Sequence, residues 1–272
     1  MSPKKVLITG ISGIVGSSAY LQMRPYPERY ELYGFGRRRA LSDRVKDDRE
    51  IDLPDDRHLV GDLADYDAVS GAVQGMEVVV HLAADPGSGN WDSLLRSNVV
   101  GAYNVFEACR QAGVSRVVAA STIQVSTGQR GQEPYDAVSR GRIEALPPGV
   151  PPVSDAMPAE PRNLYASTKV FAESLCRTYA HGHGISCLAI RIGWVVAEDR
   201  PPNRRAVDVW CSQRDIGGLI RACVDAPEEV RFAVFYGMSH NRTCWVDLEN
   251  ARRLLGFTPQ DCAEDWLDRI AG

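Results

Sequence analysis

No apolar run in this chain approaches the roughly 20 residues that a membrane-spanning helix needs, and no two cysteines stand in a C-x-x-C pair. The seven cysteines, Cys109, Cys176, Cys187, Cys211, Cys223, Cys244 and Cys262, are odd in number and dispersed. They read as reduced, mostly buried thiols of a cytoplasmic protein, which excludes a disulfide framework or a zinc site. Histidine is scarce, at five residues. His181 and His183 flank a glycine with no acidic or cysteine partner nearby, so a loop from helix to strand is expected there, and no metal. Neither sign of charge dominates: 31 basic against 35 acidic residues leaves −4, so neither nucleic acid nor an anionic membrane is expected as a partner. Met1-Ser2-Pro3-Lys4-Lys5 leads straight into an apolar strand pattern, so no signal peptide is expected. No internal repeat is visible.

What is present is a globular composition, 44% hydrophobic and 24% charged over 272 residues, enough for a sizeable core in one domain or a domain with an appended lobe. The chain is organised around Val6-Leu7-Ile8-Thr9-Gly10-Ile11-Ser12-Gly13-Ile14-Val15-Gly16. This reads as strand, glycine turn and helix. Gly10 permits the tight turn, Gly13 lets the backbone approach a pyrophosphate, and Gly16 lets the helix pack on the strand. The helix N-terminus then offers free N–H groups to phosphate.

Tyr30 to Phe35 alternates as a second strand and ends at Gly36-Arg37-Arg38-Arg39. An acid at this place would bind the ribose 2′-hydroxyl of NAD; here Arg37 and Arg38 offer guanidinium forks suited to the 2′-phosphate of NADP, or simply open a solvated loop. His58 to Leu63 reads as a third strand, with Asp62 placed either to accept from the adenine amino group or to serve as a helix cap or turn residue. Val78 to Ala84 is a buried fourth strand, Trp91 to Gln111 a helix carrying Asn98, and Val117 to Thr122 a fifth strand. The alternation predicts an α/β fold with a doubly wound parallel sheet of Rossmann type. From Ile123 to Arg162 the prolines, including Pro147-Pro148 and Pro151-Pro152, exclude a long helix and leave a lid or an oligomer contact. Leu164 to Tyr179 is then a helix and Ile185 to Ile190 a sixth strand. Beyond Arg191 come a helix from Ile216 to Val224, a strand from Val230 to Phe235 and a helix from Asp247 to Leu255. Residues 1–190 are expected to bind dinucleotide and 191–272 to form a small substrate-binding lobe.

Tyr165-Ala166-Ser167-Thr168-Lys169 places a phenol and an ammonium one helical turn apart. A phenol near its ordinary value of about 10 is a poor base at neutral pH unless a cation favours the phenolate, and Lys169 is expected to be that cation.

With these residues the chain resembles the extended short-chain dehydrogenase/reductase superfamily over nearly its whole length. The shared motifs are the T-G-x-x-G-x-x-G turn from Thr9 to Gly16, Asp62-Leu63, His81-Leu82-Ala83-Ala84, the N-x-x-G-x-x-N-V helix from Asn98 to Val105, and Tyr165 with Lys169. The resemblance implies catalytic roles for Thr122, which orients substrate, Tyr165 as acid/base, Lys169 as its tuner, and Asn98 in helix geometry and a water relay. It implies cofactor contacts from Gly10, Ser12, Gly13, Ile14, Gly16, Arg37, Arg38, Asp62, Leu63, Leu82, Ala83, Ala84, Tyr165, Lys169 and Ile192.

The C-terminal third is similar to the uronate dehydrogenase branch through Arg191-Ile192-Gly193, Asn203-Arg204-Arg205, Trp210, Asp215, Tyr236-Gly237, Trp245 and Leu255-Gly256-Phe257-Thr258-Pro259. That branch oxidises the anomeric carbon of a hexuronic acid to a lactone, and Arg205 falls where its arginine grips the carboxylate. Pro86, Ile123 and Gln124 fall at other substrate positions. There the chain departs from the branch, with Asp85-Pro86 in place of a serine and Ile123-Gln124 in place of Asn-His. The Gly36-Arg37-Arg38 end and the long 123–162 connection depart as well. The expectation is an NADP-preferring sugar or uronate 1-dehydrogenase, with NAD possible as cofactor and a homodimer implied by resemblance. A nucleotide-sugar epimerase, a non-sugar carbonyl reductase and a non-catalytic NADP-sensing regulator are the alternatives.

Overall fold

The computed structural model describes residues 2–46, 49–87, 89–139, 146 and 148–269. The chain runs β1 (Lys4–Thr9), α1 (Ile14–Met23), β2 (Tyr30–Gly36), β3 (His58–Val60), α2 (Tyr66–Val73), β4 (Val78–His81), α3 (Trp91–Leu94), α4 (Gly101–Ala112) and β5 (Arg116–Thr122). It continues with two short helices, α5 (Thr127–Arg130) and α6 (Asp136–Ser139), then α7 (Leu164–His183), β6 (Ser186–Ile192), α8 (Gln213–Val224), β7 (Phe232–Gly237) and α9 (Glu249–Leu255). Among the described residues the strands form one parallel sheet in the order β3-β2-β1-β4-β5-β6-β7.

The middles of the central strands are apolar at consecutive positions because both sheet faces are covered. In β1, Val6 and Ile8 enter one core with Ala19, Tyr20 and Met23 of α1 and Ile216, Leu219 and Ile220 of α8. Leu7 between them enters the opposite core with Val69 of α2, Phe106 of α4 and Cys176 of α7. The same alternation splits Val78 and Val80 from Val79, and Leu188 and Ile190 from Cys187. The result is the doubly wound, Rossmann-like architecture, with every strand's C-terminal end at one edge.

Several elements differ from the sequence reading. The third strand stops at Val60: a side chain at Gly61 would come within 2.8 Å of the Phe35 ring, and Asp62-Leu63 turn instead toward α2. The helix expected over 91–111 is interrupted by a π-helical stretch, Leu95–Val100, between α3 and α4. α7 runs on to His183, so His181 and His183 occupy its last turn rather than a loop. Residues 1–190 and 191–272 are expected to form one compact unit, within which β7 and α8 extend the same sheet and the same helical layer.

The connection from Ile123 to Arg162, apart from residues 140–145 and Pro147, which lie outside the described residues, packs against the chain's own C-terminal segment. Ile123, Tyr135 and Val153 form a third apolar cluster with Tyr236, Met238, Trp245 and Val246. Val153 anchors it by donating its N–H to Trp245 O at 2.8 Å and accepting from Asp247 N at 2.9 Å. The segment buries these apolar residues locally, and its Ile123, Gln124, Thr127 and Arg130 also line the cavity described below.

Candidate active site

The turn after β1 shows what each glycine does. At Gly10, with φ +72, an added Cβ would lie 2.7 Å from Ala83 N, and at Gly16 it would lie 2.2 Å from Gly10 O. Both would force backbone apart. At Gly13 an added Cβ would meet only Gly10 O, at 3.4 Å, which leaves space beside this N-cap of α1 for an elongated anionic group. Thr9 secures the neighbouring strand: its hydroxyl accepts from Ala83 N at 3.2 Å and lies 2.9 Å from His81 Nδ1. Either partner can supply the proton of that contact, depending on the imidazole tautomer. Burial, and then the charge of Lys169, pulls His81 down to about 3.

One cavity of about 1140 Å³ opens from this turn along the strand ends. Gly10, Ser12, Gly13, Ile14, Gly16, Arg37, Arg38, Asp62, Leu63, Leu82, Ala83 and Ala84 line it toward the turn. Pro86, Thr122, Ile123, Gln124, Tyr165, Lys169, Ile192 and Arg205 line it beyond. The glycine cradle, the α1 N-terminus and the arginines at the end of β2 fit a dinucleotide. Asp62 also works as a turn residue, accepting from Ala64 N at 2.9 Å, while Asp65 is the N-cap of α2.

Asn98 is not among the lining residues. Its Oδ1 accepts from Asp85 N at 2.7 Å, and its Nδ2 donates to Asp85 O at 3.0 Å and to Thr168 Oγ1 at 3.1 Å. The π-helical stretch thus lets one buried amide hold the segment after β4 against α7. Asn163 caps α7 by accepting from Ala166 N at 2.8 Å and donates to Gln124 Oε1 at 2.8 Å. This ties Tyr165's first turn to the chain that follows Thr122.

Tyr165 and Thr122 both line the cavity. Burial pushes the Tyr165 phenol up; the neighbouring Thr122 hydroxyl and the charge of Arg44 pull it back, and Asp85 pushes it higher. Lys169 was expected to lower the phenol, yet it is not among the groups that do so here. Its Nζ sits 5.8 Å from the ring centroid and donates to Ala120 O at 3.0 Å. Burial itself pulls Lys169 down to about 8, which leaves the ammonium the main form at neutral pH.

At the far end Arg205 is exposed, held by Asn203, whose Oδ1 accepts from Arg205 N at 3.0 Å. Among the described residues no carboxylate pairs with it. Two lining arginines escaped the sequence reading. Arg130 grips Asp208 through Nε at 2.6 Å and Nη2 at 2.9 Å and reaches Arg205 O at 3.2 Å. Arg44 enters from the β2–β3 connection. Neither belongs to a spaced motif: one lies in the proline-rich connection and the other in a charged loop. Only the arginine content of those stretches could have pointed to them.

Comparison with known proteins gives the same picture. A uronate dehydrogenase of Pseudomonas syringae pv. tomato is 29% identical over 266 residues, covering 98% of this chain and 85% of that protein. An NAD-dependent glucose-6-phosphate dehydrogenase of Haloferax volcanii is 31% identical, covering 94% and 93%. The crystal structure of a glucuronic acid dehydrogenase from Chromohalobacter salexigens superposes with a TM-score of 0.76 at 27% identity, covering 99% of this chain and 90% of that one. The family model described as NAD dependent epimerase/dehydratase matches residues 6–211. That span runs from β1 past Arg205 and takes in the glycine turn, Tyr165 and Lys169, so the chain belongs to the NAD-dependent epimerase/dehydratase family.

Proposed function

We propose that this chain is an NADP-preferring oxidoreductase that oxidises the anomeric carbon of a sugar or uronic acid to a lactone. The observation that carries the reading is that Tyr165, Lys169 and Thr122 converge in the same cavity as the glycine cradle, with Arg205, which no carboxylate of the described residues pairs, at its far end. NADP, when bound, supplies the acceptor for the hydride that leaves the anomeric carbon. Thr122 holds the anomeric oxygen, and Tyr165 takes the hydroxyl proton as that oxygen becomes a carbonyl. Lys169 stands near Tyr165, and its ammonium favours the deprotonated phenol. Gly10, Gly13 and Gly16 give the diphosphate room, and Arg37 and Arg38 meet the 2′-phosphate. Arg205 binds a substrate carboxylate through its planar fork, a role consistent with the uronate dehydrogenases among the relatives.

The experiment is the initial rate of reduced-cofactor formation with NADP and NAD against uronates, neutral aldoses and a hexose 6-phosphate. Uronate turnover favouring NADP is expected, abolished in Tyr165→Phe with cofactor binding retained. Turnover of neutral aldoses alone would remove Arg205 as a carboxylate clamp. Tight NADP binding without turnover of any free sugar would overturn the reading in favour of a nucleotide-sugar enzyme or a sensor. Exposed Trp91, Leu95, Val100, Tyr103 and Leu164, on the α3–α4 segment and α7, support a homodimer through these helices. Light scattering tests this, and a monomer at high concentration would sink it.

A further inference from the structure

The connection between β2 and β3 lies as a strap across the N-terminal half of α1. Ser42 N donates to Ser12 O at 2.9 Å, and Val45 N donates to Ser42 O at 2.8 Å, closing a turn. The Val45 side chain is buried beneath that turn. Further along, Arg49 Nη1 donates to Ser17 Oγ at 2.7 Å and Ser18 Oγ at 3.1 Å. Arg44 projects from this tethered turn into the cavity wall. Among the described residues its guanidinium has no ion-pair partner, although Arg38 faces Asp43, Arg39 pairs with Asp55 and Arg130 with Asp208. An unpaired cation held at the mouth of an anion cradle calls for an anionic ligand.

Which anion follows from position. Arg44 lies two residues beyond the tie to Ser12, in the glycine turn itself, whereas Arg37 and Arg38 follow directly on the end of β2. Arg44 thus lies beside the turn, in the same cavity as Tyr165. The part of a dinucleotide that carries negative charge beside such a turn is the diphosphate, common to NAD and NADP.

We propose that Arg44 is a cofactor-binding residue that meets the diphosphate from the strap, beside the α1 N-terminus. The assignment rests on the dinucleotide reading above. It differs from that of Arg37 and Arg38 in being indifferent to the 2′-phosphate.

The test is calorimetric binding of NAD, NADP and 2′-AMP, which keeps the 2′-phosphate but has no 5′-phosphate, to the wild type, Arg44→Ala, Arg44→Lys and Arg37→Ala. Arg44→Ala is expected to weaken NAD and NADP by the same factor, about tenfold for one charge-assisted contact. It should leave 2′-AMP unchanged, and Arg44→Lys should recover part of the loss. Arg37→Ala should weaken NADP and 2′-AMP and spare NAD. Loss confined to NADP and 2′-AMP in Arg44→Ala, or no loss at all, would overturn the assignment. A wild-type protein that binds 2′-AMP but neither dinucleotide would overturn it too. One that binds none of the three would overturn the parent reading instead, and this one with it. Arg44 is exposed, and an unchanged melting temperature in Arg44→Ala shows that the fold is intact.

Discussion

Arg191 of β6 holds Glu173 of α7 in a two-pronged contact, Nε to Oε1 and Nη2 to Oε2, each at 2.9 Å, with both side chains nearly closed to solvent. The remaining Nη1 donates to Tyr236 Oη at 2.7 Å, and Ser121 donates to Glu173 Oε1 at 2.5 Å. This pair fixes the helix that carries Tyr165 and Lys169 to the strands beneath them. Arg191→Met would leave the Glu173 carboxylate buried and uncompensated, at a cost of about 3–5 kcal/mol. Chemical denaturation should show that loss, and the double variant Arg191→Met/Glu173→Leu should regain most of it. Equal stability of the single variant and the wild type would show that the pair holds nothing in place.

Gly13 and Gly16 should separate when each becomes alanine. At Gly16 the new methyl collides with the Gly10 carbonyl, so Gly16→Ala should lower stability by about 1–3 kcal/mol and impair dinucleotide binding. Gly13→Ala has room within the fold and should keep its melting temperature while losing cofactor affinity. Melting curves and binding isotherms on both variants check this. Identical behaviour of the two would contradict the geometry of the turn.

His81 sets an acid limit. In the fold it stays neutral down to about pH 3, whereas in the unfolded chain it takes a proton near pH 6.5. Its contribution is therefore present above pH 6.5 and is lost as the pH falls from there toward 3, by up to about 4 kcal/mol. His81→Asn should show a smaller fall in denaturation midpoint between pH 7 and pH 4 than the wild type. A parallel fall in both would assign the acid sensitivity to the carboxylates.

Much of the architecture was legible because the central strands are buried on both faces, so β1, β4, β5 and β6 stand out as short apolar runs between amphipathic helices. The site's first half was legible for a related reason: a turn that needs three glycines leaves a spaced signature. The rest depends on contacts between segments far apart in the chain. The π-helical stretch at Leu95–Val100 follows from the double grip of Asn98 on Asp85, which no local pattern encodes. Arg44 and Arg130 reach the cavity because their loops are tied down by Ser12 and Asp208, partners that spacing does not reveal. Lys169 was placed correctly beside Tyr165, but its surroundings govern its charge: burial pulls it down to about 8, and its Nζ is engaged by Ala120 O.

The third apolar cluster has a bearing on how the chain is made. Val153 must wait for Trp245 and Val246, roughly 90 residues later, before its strand-like bridge can form, and contacts of such separation are slow to close. On a ribosome Val153 emerges well before those partners exist, and α1 likewise has to wait for Ile216, Leu219 and Ile220 of α8. Neither the cradle nor the cavity wall that Ile123 lines can be fully packed until the C-terminal third has been made.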